Sequence, residues 1–106
     1  MPGFRLTKAA KADLRGIGRY TRREWGRDQA RRYLGELDAC FHRLAEKPDL
    51  GRTYSDLPPY WRILRGKHAI FYRVTDDASL LVVRILHAGM LPELHLSGSE
   101  DDHEDE

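Results

Sequence analysis

Residues 70–87 read IFYRVTDDASLLVVRILH. Two runs rich in β-branched and aromatic residues flank a short polar break at Asp76-Asp77-Ala78, the pattern of two antiparallel strands joined by a tight turn. Just upstream, YWRILR (60–65) is a third apolar run, separated from HAIFYRVT (68–75) by Gly66-Lys67. Connections this short predict a three-stranded antiparallel meander over 60–65, 68–75 and 79–87. Strict alternation in the last strand puts Leu80, Val82, Arg84 and Leu86 on one face and Leu81, Val83, Ile85 and His87 on the other. A strand that is apolar on both sides belongs at the centre of a sheet.

The residues before the meander change period from two to three or four. GFRLT (3–7) alternates and reads as a short first strand, with Thr7 placed to cap a helix. Ala10, Leu14, Ile17, Thr21 and Trp25 then recur at helical spacing until Gly26. Asp28 can cap a second helix, in which Ala30, Tyr33, Leu34, Leu37, Phe41 and Leu44 hold the 3.6 period up to Pro48. A two- or three-residue connection forces the helices into an antiparallel hairpin. Cys40 shares the apolar face of Leu37 and Leu44 and is expected to be a buried small hydrophobe. The expected class is therefore α+β, ordered β-α-α-β-β-β, with the helical hairpin on one face of a mainly antiparallel sheet.

A chain of 106 residues suffices for one domain, expected over residues 1–96. One cysteine excludes an internal disulfide, no Cys/His cluster has zinc spacing, and no apolar run is long enough to span a membrane. These features, with no secretory h-region at the N-terminus, lead us to expect a cytoplasmic protein without metal or cofactor and without a membrane partner. The formal net charge of +1 hides an asymmetry. The terminal SGSEDDHEDE holds six of the 17 acids and no Lys or Arg, so residues 1–96 carry 18 basic and 11 acidic side chains, a net of +7. Residues 97–106 are predicted to be a disordered acidic tail. A separate hypothesis is that this tail screens the basic body in competition with an acidic partner. Fourteen of the 18 basic residues are arginine, which favours bidentate contact with carboxylate or phosphate.

Two of those arginines, Arg73 and Arg84, interrupt the most hydrophobic strands. Two helices cover only one sheet face, so the expectation is that both arginines lie on an open, partly apolar second face with their guanidiniums outward. Trp61, Arg62 and Arg65 in the adjoining strand add aromatic and basic groups, some of which are expected to join them. The structural alternative ties the arginines to Asp56, Asp76 or Asp77 and gives them no partner role.

FRLTKAAKADLRGIGRYTRREWG, QARRYLGELDACFHRLAEKPDLGR, WRILRGKHAIFYRV and VVRILHAGMLPELHL, in that order, resemble the ParE toxins of the RelE/ParE type II toxin–antitoxin superfamily. The resemblance runs from residue 4 to about residue 96. It implies the β-α-α-β-β-β fold, inhibition of DNA gyrase with arrest of replication, and neutralisation by a ParD-like ribbon-helix-helix antitoxin that alone contacts operator DNA. HAGM (87–90) is similar to the His-x-x-Met ending of ParE. Toxicity or partner-binding candidates are thus Arg62, Arg65, Arg73, Arg84, His87 and Met90. The antitoxin's acidic amphipathic segment needs an apolar groove rimmed by arginine, and two qualify: one along the helical hairpin, with Tyr20, Trp25 and Tyr33 beside Arg19, Arg23 and Arg32, and one on the open sheet, with Trp61, Arg73 and Arg84. The alternatives are a RelE-type ribosome-dependent mRNA endoribonuclease and a non-toxic antitoxin-binding partner. RNA cleavage would need a general acid, a general base and cations around the phosphorane. His68, His87, Tyr72 and Glu46 are the acid–base residues near the sheet. No catalytic residue is assigned.

Overall fold

The computed structural model describes residues 3–96 and 98–102. Thr7 begins the first helix as expected. Its Oγ1 accepts from the Ala10 amide at 2.9 Å, satisfying one of the amides that a helix N-terminus leaves without a partner. The elements are β1 (Phe4–Leu6), α1 (Lys8–Trp25), α2 (Arg27–Glu46), β2 (Arg52–Thr53), β3 (Trp61–Arg65), β4 (His68–Val74) and β5 (Leu80–His87). The helices are joined by the single residue Gly26, whose φ of 96° lies where a side chain would be strained. It is tighter than the expected link, and Asp28 sits in the first turn of α2 rather than at its cap.

The strands form one sheet in the order β1-β5-β4-β3-β2, with β1 parallel to β5 and the remaining pairs antiparallel. Two helices thus lie against a mixed five-stranded sheet in the expected β-α-α-β-β-β order, with β2 added. The expected meander is β3-β4-β5. The two-residue β2 extends its edge and was not visible in the pattern. On the helical side, Ile17, Leu37, Phe41 and Leu44 pack against Ile70, Tyr72, Val82 and Ile85. Burying one such large side chain stabilises the fold by roughly 1.5–3 kcal/mol. Cys40 is buried among them, as expected. Tyr72 Oη donates to the Pro48 carbonyl at 2.5 Å and accepts from the Gly51 amide at 3.0 Å, fastening the end of α2 to the sheet.

The second face is covered, contrary to expectation. Ala69, Phe71, Leu81, Val83, Leu86 and Leu96 form a smaller core there, roofed by Tyr54, Leu57 and Tyr60. The cover comes from the Pro-rich loop and from the C-terminal segment. Within the tail expected to be disordered, Ser99–Asp102 is a 3-10 turn; residue 97 and residues 103–106 lie outside the described residues.

Nor does β5 alternate strictly. Phe71 pairs with Arg84 but Tyr72 pairs with Val82, leaving Val83 as an extra residue and shifting the phase. Ile85 therefore joins Leu80 and Val82 under the helices, whereas Leu86 joins Leu81 and Val83 on the other side. At this bulge β1 has already ended, and side chains complete the edge of β5. Thr7 Oγ1 donates to the Val83 carbonyl at 2.7 Å. Asp13 Oδ2 accepts from the Ile85 amide at 2.9 Å and from Arg84 Nε at 2.7 Å, while Oδ1 accepts from Arg84 Nη2 at 2.9 Å. Arg84 Nη1 donates to the His95 carbonyl at 2.9 Å. The expected outward guanidinium is thus a strut between β5, α1 and the C-terminal segment, paired with Asp13 and not with Asp56, Asp76 or Asp77.

Both members of this pair are largely buried, so removing either one leaves a charge and a backbone amide or carbonyl unsatisfied. Asp13→Ala and Arg84→Ala should each cost roughly 3 kcal/mol in urea unfolding. The double variant should lose clearly less than the two single losses added together. Single losses below about 0.5 kcal/mol would mark the pair as an ordinary surface contact.

Candidate functional site

Seven of the partner-binding candidates singled out from sequence line two concave surfaces on different sides of the helical hairpin. The first is a groove of about 690 Å³ whose floor is Phe4, Leu6, Leu14, Leu34 and Phe41. Gly18 lets α1 approach α2 closely, since a Cβ there would stand 3.2 Å from Leu34 Cδ1. Arg15, Arg19 and Arg22 on α1 and Arg27 and Arg31 on α2 rim the groove, against the single carboxylate of Asp38. Only Arg19 among these five was singled out from sequence. The signal for the others was the helical spacing 15-19-22 and 27-31, alongside Leu14 and Leu34. An apolar trough with such a rim can take an amphipathic, acidic helix, with carboxylates meeting guanidiniums over buried side chains.

The second surface is a cleft of about 830 Å³ between the hairpin and the ends of β4 and β5. Tyr20, Trp25 and Tyr33, expected beside the arginine rim, line this cleft instead. There they meet Arg84, His87 and Met90, which the sequence reading had grouped apart from them. Tyr20 and Trp25 are exposed. Tyr33 Oη donates to the Arg65 carbonyl at 3.0 Å. With its only proton used there, it accepts from His68 Nδ1 at 2.7 Å, which leaves His68 Nε2 bare as an acceptor. Gly66, at φ 59° in the β3–β4 turn, keeps this contact possible, since a Cβ would lie 2.7 Å from Tyr33 Oη. The His87 ring lies edge-on to His68 at a centroid distance of 5.9 Å, and its Nδ1 accepts from the Gly89 amide at 3.3 Å. Burial lowers the His68 pKa below its usual value, and the nearby His87 lowers it further. Burial likewise raises that of Tyr33.

The remaining candidates are spread over the molecule. Arg23 lies over the Tyr20 ring at 5.7 Å and contacts Glu24 at 3.5 Å. Arg32 donates to Gln29 Oε1 at 2.8 Å on the surface. Trp61, expected on the second face, stacks on Tyr72 on the helical side at 6.3 Å. Arg62 lies over Tyr54 at 5.7 Å, and Arg65 Nη2 donates to Cys40 Sγ at 3.6 Å. Arg73 does belong to the second face, but its guanidinium is bound by Glu100. That carboxylate raises the Arg73 pKa, as Asp13 raises that of Arg84. Of the acid–base residues considered, Tyr72 is structural. Burial pushes its hydroxyl up to about 12, so it holds its proton at neutral pH. No group of metal-ligating side chains occurs among the described residues.

Residues 4–92 match the family described as "ParE toxin of type II toxin-antitoxin system, parDE". The chain belongs to the ParE toxin family. It is 41% identical over 88 residues to Toxin ParE1 of Mycobacterium tuberculosis, covering 82% of this chain and 90% of that one. It is 38% identical over 97 residues to Toxin ParE1 of Caulobacter vibrioides, covering 91% and 99%. With Toxin ParE of Escherichia coli it shares 44% identity over 91 residues, covering 85% and 88%. Among solved structures, the chromosomal ParDE toxin–antitoxin system from P. aeruginosa superposes with a TM-score of 0.72 at 20% identity, covering 82% of this chain and 96% of that one. The RelBE2 toxin–antitoxin complex of Mycobacterium tuberculosis gives 0.62 at 21% identity, covering 82% and 99%. At these identities the structures establish the fold. This ParE-family chain is the toxin component of a type II toxin–antitoxin system.

A histidine whose folded pKa is depressed stabilises the fold while neutral. The contribution is complete above the ordinary imidazole value of 6.5 and is lost as pH falls toward and through the folded value. The urea midpoint should therefore drop between about pH 7.5 and about pH 5.5. It should drop less in His68→Asn, whose side-chain amide can still donate to Tyr33. An equal drop in both proteins would place the titrating group elsewhere.

Proposed function

We propose that this chain poisons DNA gyrase and is held inactive by a ParD-like ribbon-helix-helix antitoxin. The acidic, amphipathic C-terminal segment of that antitoxin lies in the arginine-rimmed groove. The observation that carries the antitoxin assignment is five arginines around an apolar floor with Asp38 as the one opposing acid. Family membership supports an antitoxin partner, and the chemistry of the groove supports its charge and amphipathicity. Operator DNA is contacted only through the antitoxin, and the site of action is the cytoplasm.

The cleft is the surface we assign to gyrase. Its exposed Tyr20 and Trp25, with His87 and Met90 opposite, offer aromatic and hydrogen-bonding contacts suited to a protein surface. A RelE-type mRNA endonuclease is the second reading, favoured by the paired His68 and His87. For phosphoryl chemistry the cleft is poorly supplied with cations. Arg84 is neutralised by Asp13, which leaves Lys67 as the remaining Lys or Arg of its lining.

Purified chain should abolish supercoiling by gyrase, and its expression without antitoxin should cause filamentation and a DNA-damage response. Gyrase left untouched, with rapid cutting of messages, would overturn this reading in favour of the nuclease. A chain without growth effect would be a non-toxic antitoxin-binding partner. Arg19→Glu combined with Arg31→Glu should weaken antitoxin binding by about 100-fold, read by calorimetry, because like charges then face the acidic segment. Trp25→Ala with His87→Ala should instead reduce gyrase inhibition while antitoxin affinity stays within about threefold. If the two double variants exchange these effects, the assignment of the surfaces is reversed.

A further inference from the structure

The family match ends at Pro92, and the chain beyond it turns back over the second sheet face, where Ser99–Asp102 also meets α1. Leu96 is buried in the second core. Ser99 is also buried, its Oγ donating to the His95 carbonyl at 2.8 Å. These anchors deliver Glu100 to Arg73. Glu100 Oε1 accepts from Arg73 Nη2 at 2.7 Å and from Nε at 3.1 Å, and Oε2 accepts from Nε at 3.0 Å. Tyr60 Oη donates to Oε2 at 2.5 Å from the loop that roofs the same face. The two charged side chains are 28% and 26% exposed.

A side-on guanidinium with a phenol hydroxyl on one oxygen is a receptor for a planar carboxylate. A planar fork with one phenol donor matches a single side-chain carboxylate; Arg5 and Arg62 share this face, so a phosphodiester backbone, which rewards several cations, is the competing ligand that the test must separate. We propose that Arg73 and Tyr60 form a binding site for a carboxylate of an acidic protein segment, and that residues 98–102 occupy it in cis. A partner's acidic segment must then displace Glu100. The identity of that partner as an acidic antitoxin rests on the function proposed above, with a stretch of its acidic segment other than the one in the groove reaching this face; the self-occupancy does not. A tethered occupant acts at an effective concentration of about millimolar, and it weakens any external ligand by the fraction of molecules in which the site is filled. Glu100 thereby sets a threshold that a partner segment must exceed.

The test uses full-length chain and, as probe, a peptide of residues 97–106, SGSEDDHEDE, titrated while the backbone amides of β4, present in every variant, are followed by NMR. Glu100→Gln removes the internal carboxylate and should tighten peptide binding about tenfold over wild type. Adding Arg73→Gln should abolish that gain, and a probe with Gln in place of Glu100 should bind no better to the variant than to wild type. Circular dichroism of each variant establishes that it is folded, and Tyr60→Phe, which keeps the ring that roofs the face, should weaken the probe in the Glu100→Gln background by a fewfold. The proposal is overturned by equal affinities of wild type and Glu100→Gln, by a gain that survives Arg73→Gln, by no binding to Glu100→Gln at millimolar probe, or by a gain seen with an oligothymidylate and not with the peptide. Neither gyrase nor antitoxin enters this assay, so a chain that spares gyrase can still pass it and a gyrase poison can still fail it.

Discussion

The fold depends on how β5 is completed where its neighbour stops. A central strand carries amide and carbonyl groups on both edges, and burial makes each unpaired group expensive. β1 pairs only with Leu80–Val82. Beyond that point Thr7 supplies the missing donor and Asp13 the missing acceptor, from the first turns of α1 and its cap. The Asp13 carboxylate needs its own compensating charge in that partly buried place, and Arg84 provides it. Strand, helix and C-terminal segment are thereby fixed by one cluster, and the wall of the cleft beside it is fixed as well.

Regular periodicity made much of this architecture legible. The helical stripe through Leu14, Ile17 and Thr21, the cap at Thr7, the stop at Gly26 and the meander all follow from local rules of spacing and turn chemistry. What escaped depends on partners distant in sequence. Asp13 lies 71 residues from Arg84, and Glu100 lies 27 residues from Arg73. No local pattern links either pair. The bulge at Val83 was hidden because Val82, Val83 and Ile85 are all apolar, so either phase of alternation looks satisfactory. The cover over the second face was hidden because acidic composition argued for disorder, whereas Leu96 and Ser99 are enough to anchor the segment.

The fold groups the candidate residues differently from the sequence reading. An apolar groove with an arginine rim exists, but its rim is Arg15, Arg19, Arg22, Arg27 and Arg31, and the aromatics thought to accompany it lie in the cleft. Arg19 and Tyr20 are adjacent in sequence, yet they serve different surfaces because successive helical residues are about 100° apart. The arginines that drew attention inside the strands are engaged by the chain's own carboxylates. Those on the helix surfaces, ordinary by composition, make the concentrated positive rim.

The single-residue joint at Gly26 has a mechanical corollary. Groove and cleft have no lining residue in common, yet each is walled by the same pair of helices. One residue between two rods leaves little slack for either to move alone. An occupant that wedges or clamps the rods on one flank therefore alters the spacing available on the other. Were ligands on the two flanks to shift the rods, they would be coupled through that joint, and each would change the other's affinity by the same factor.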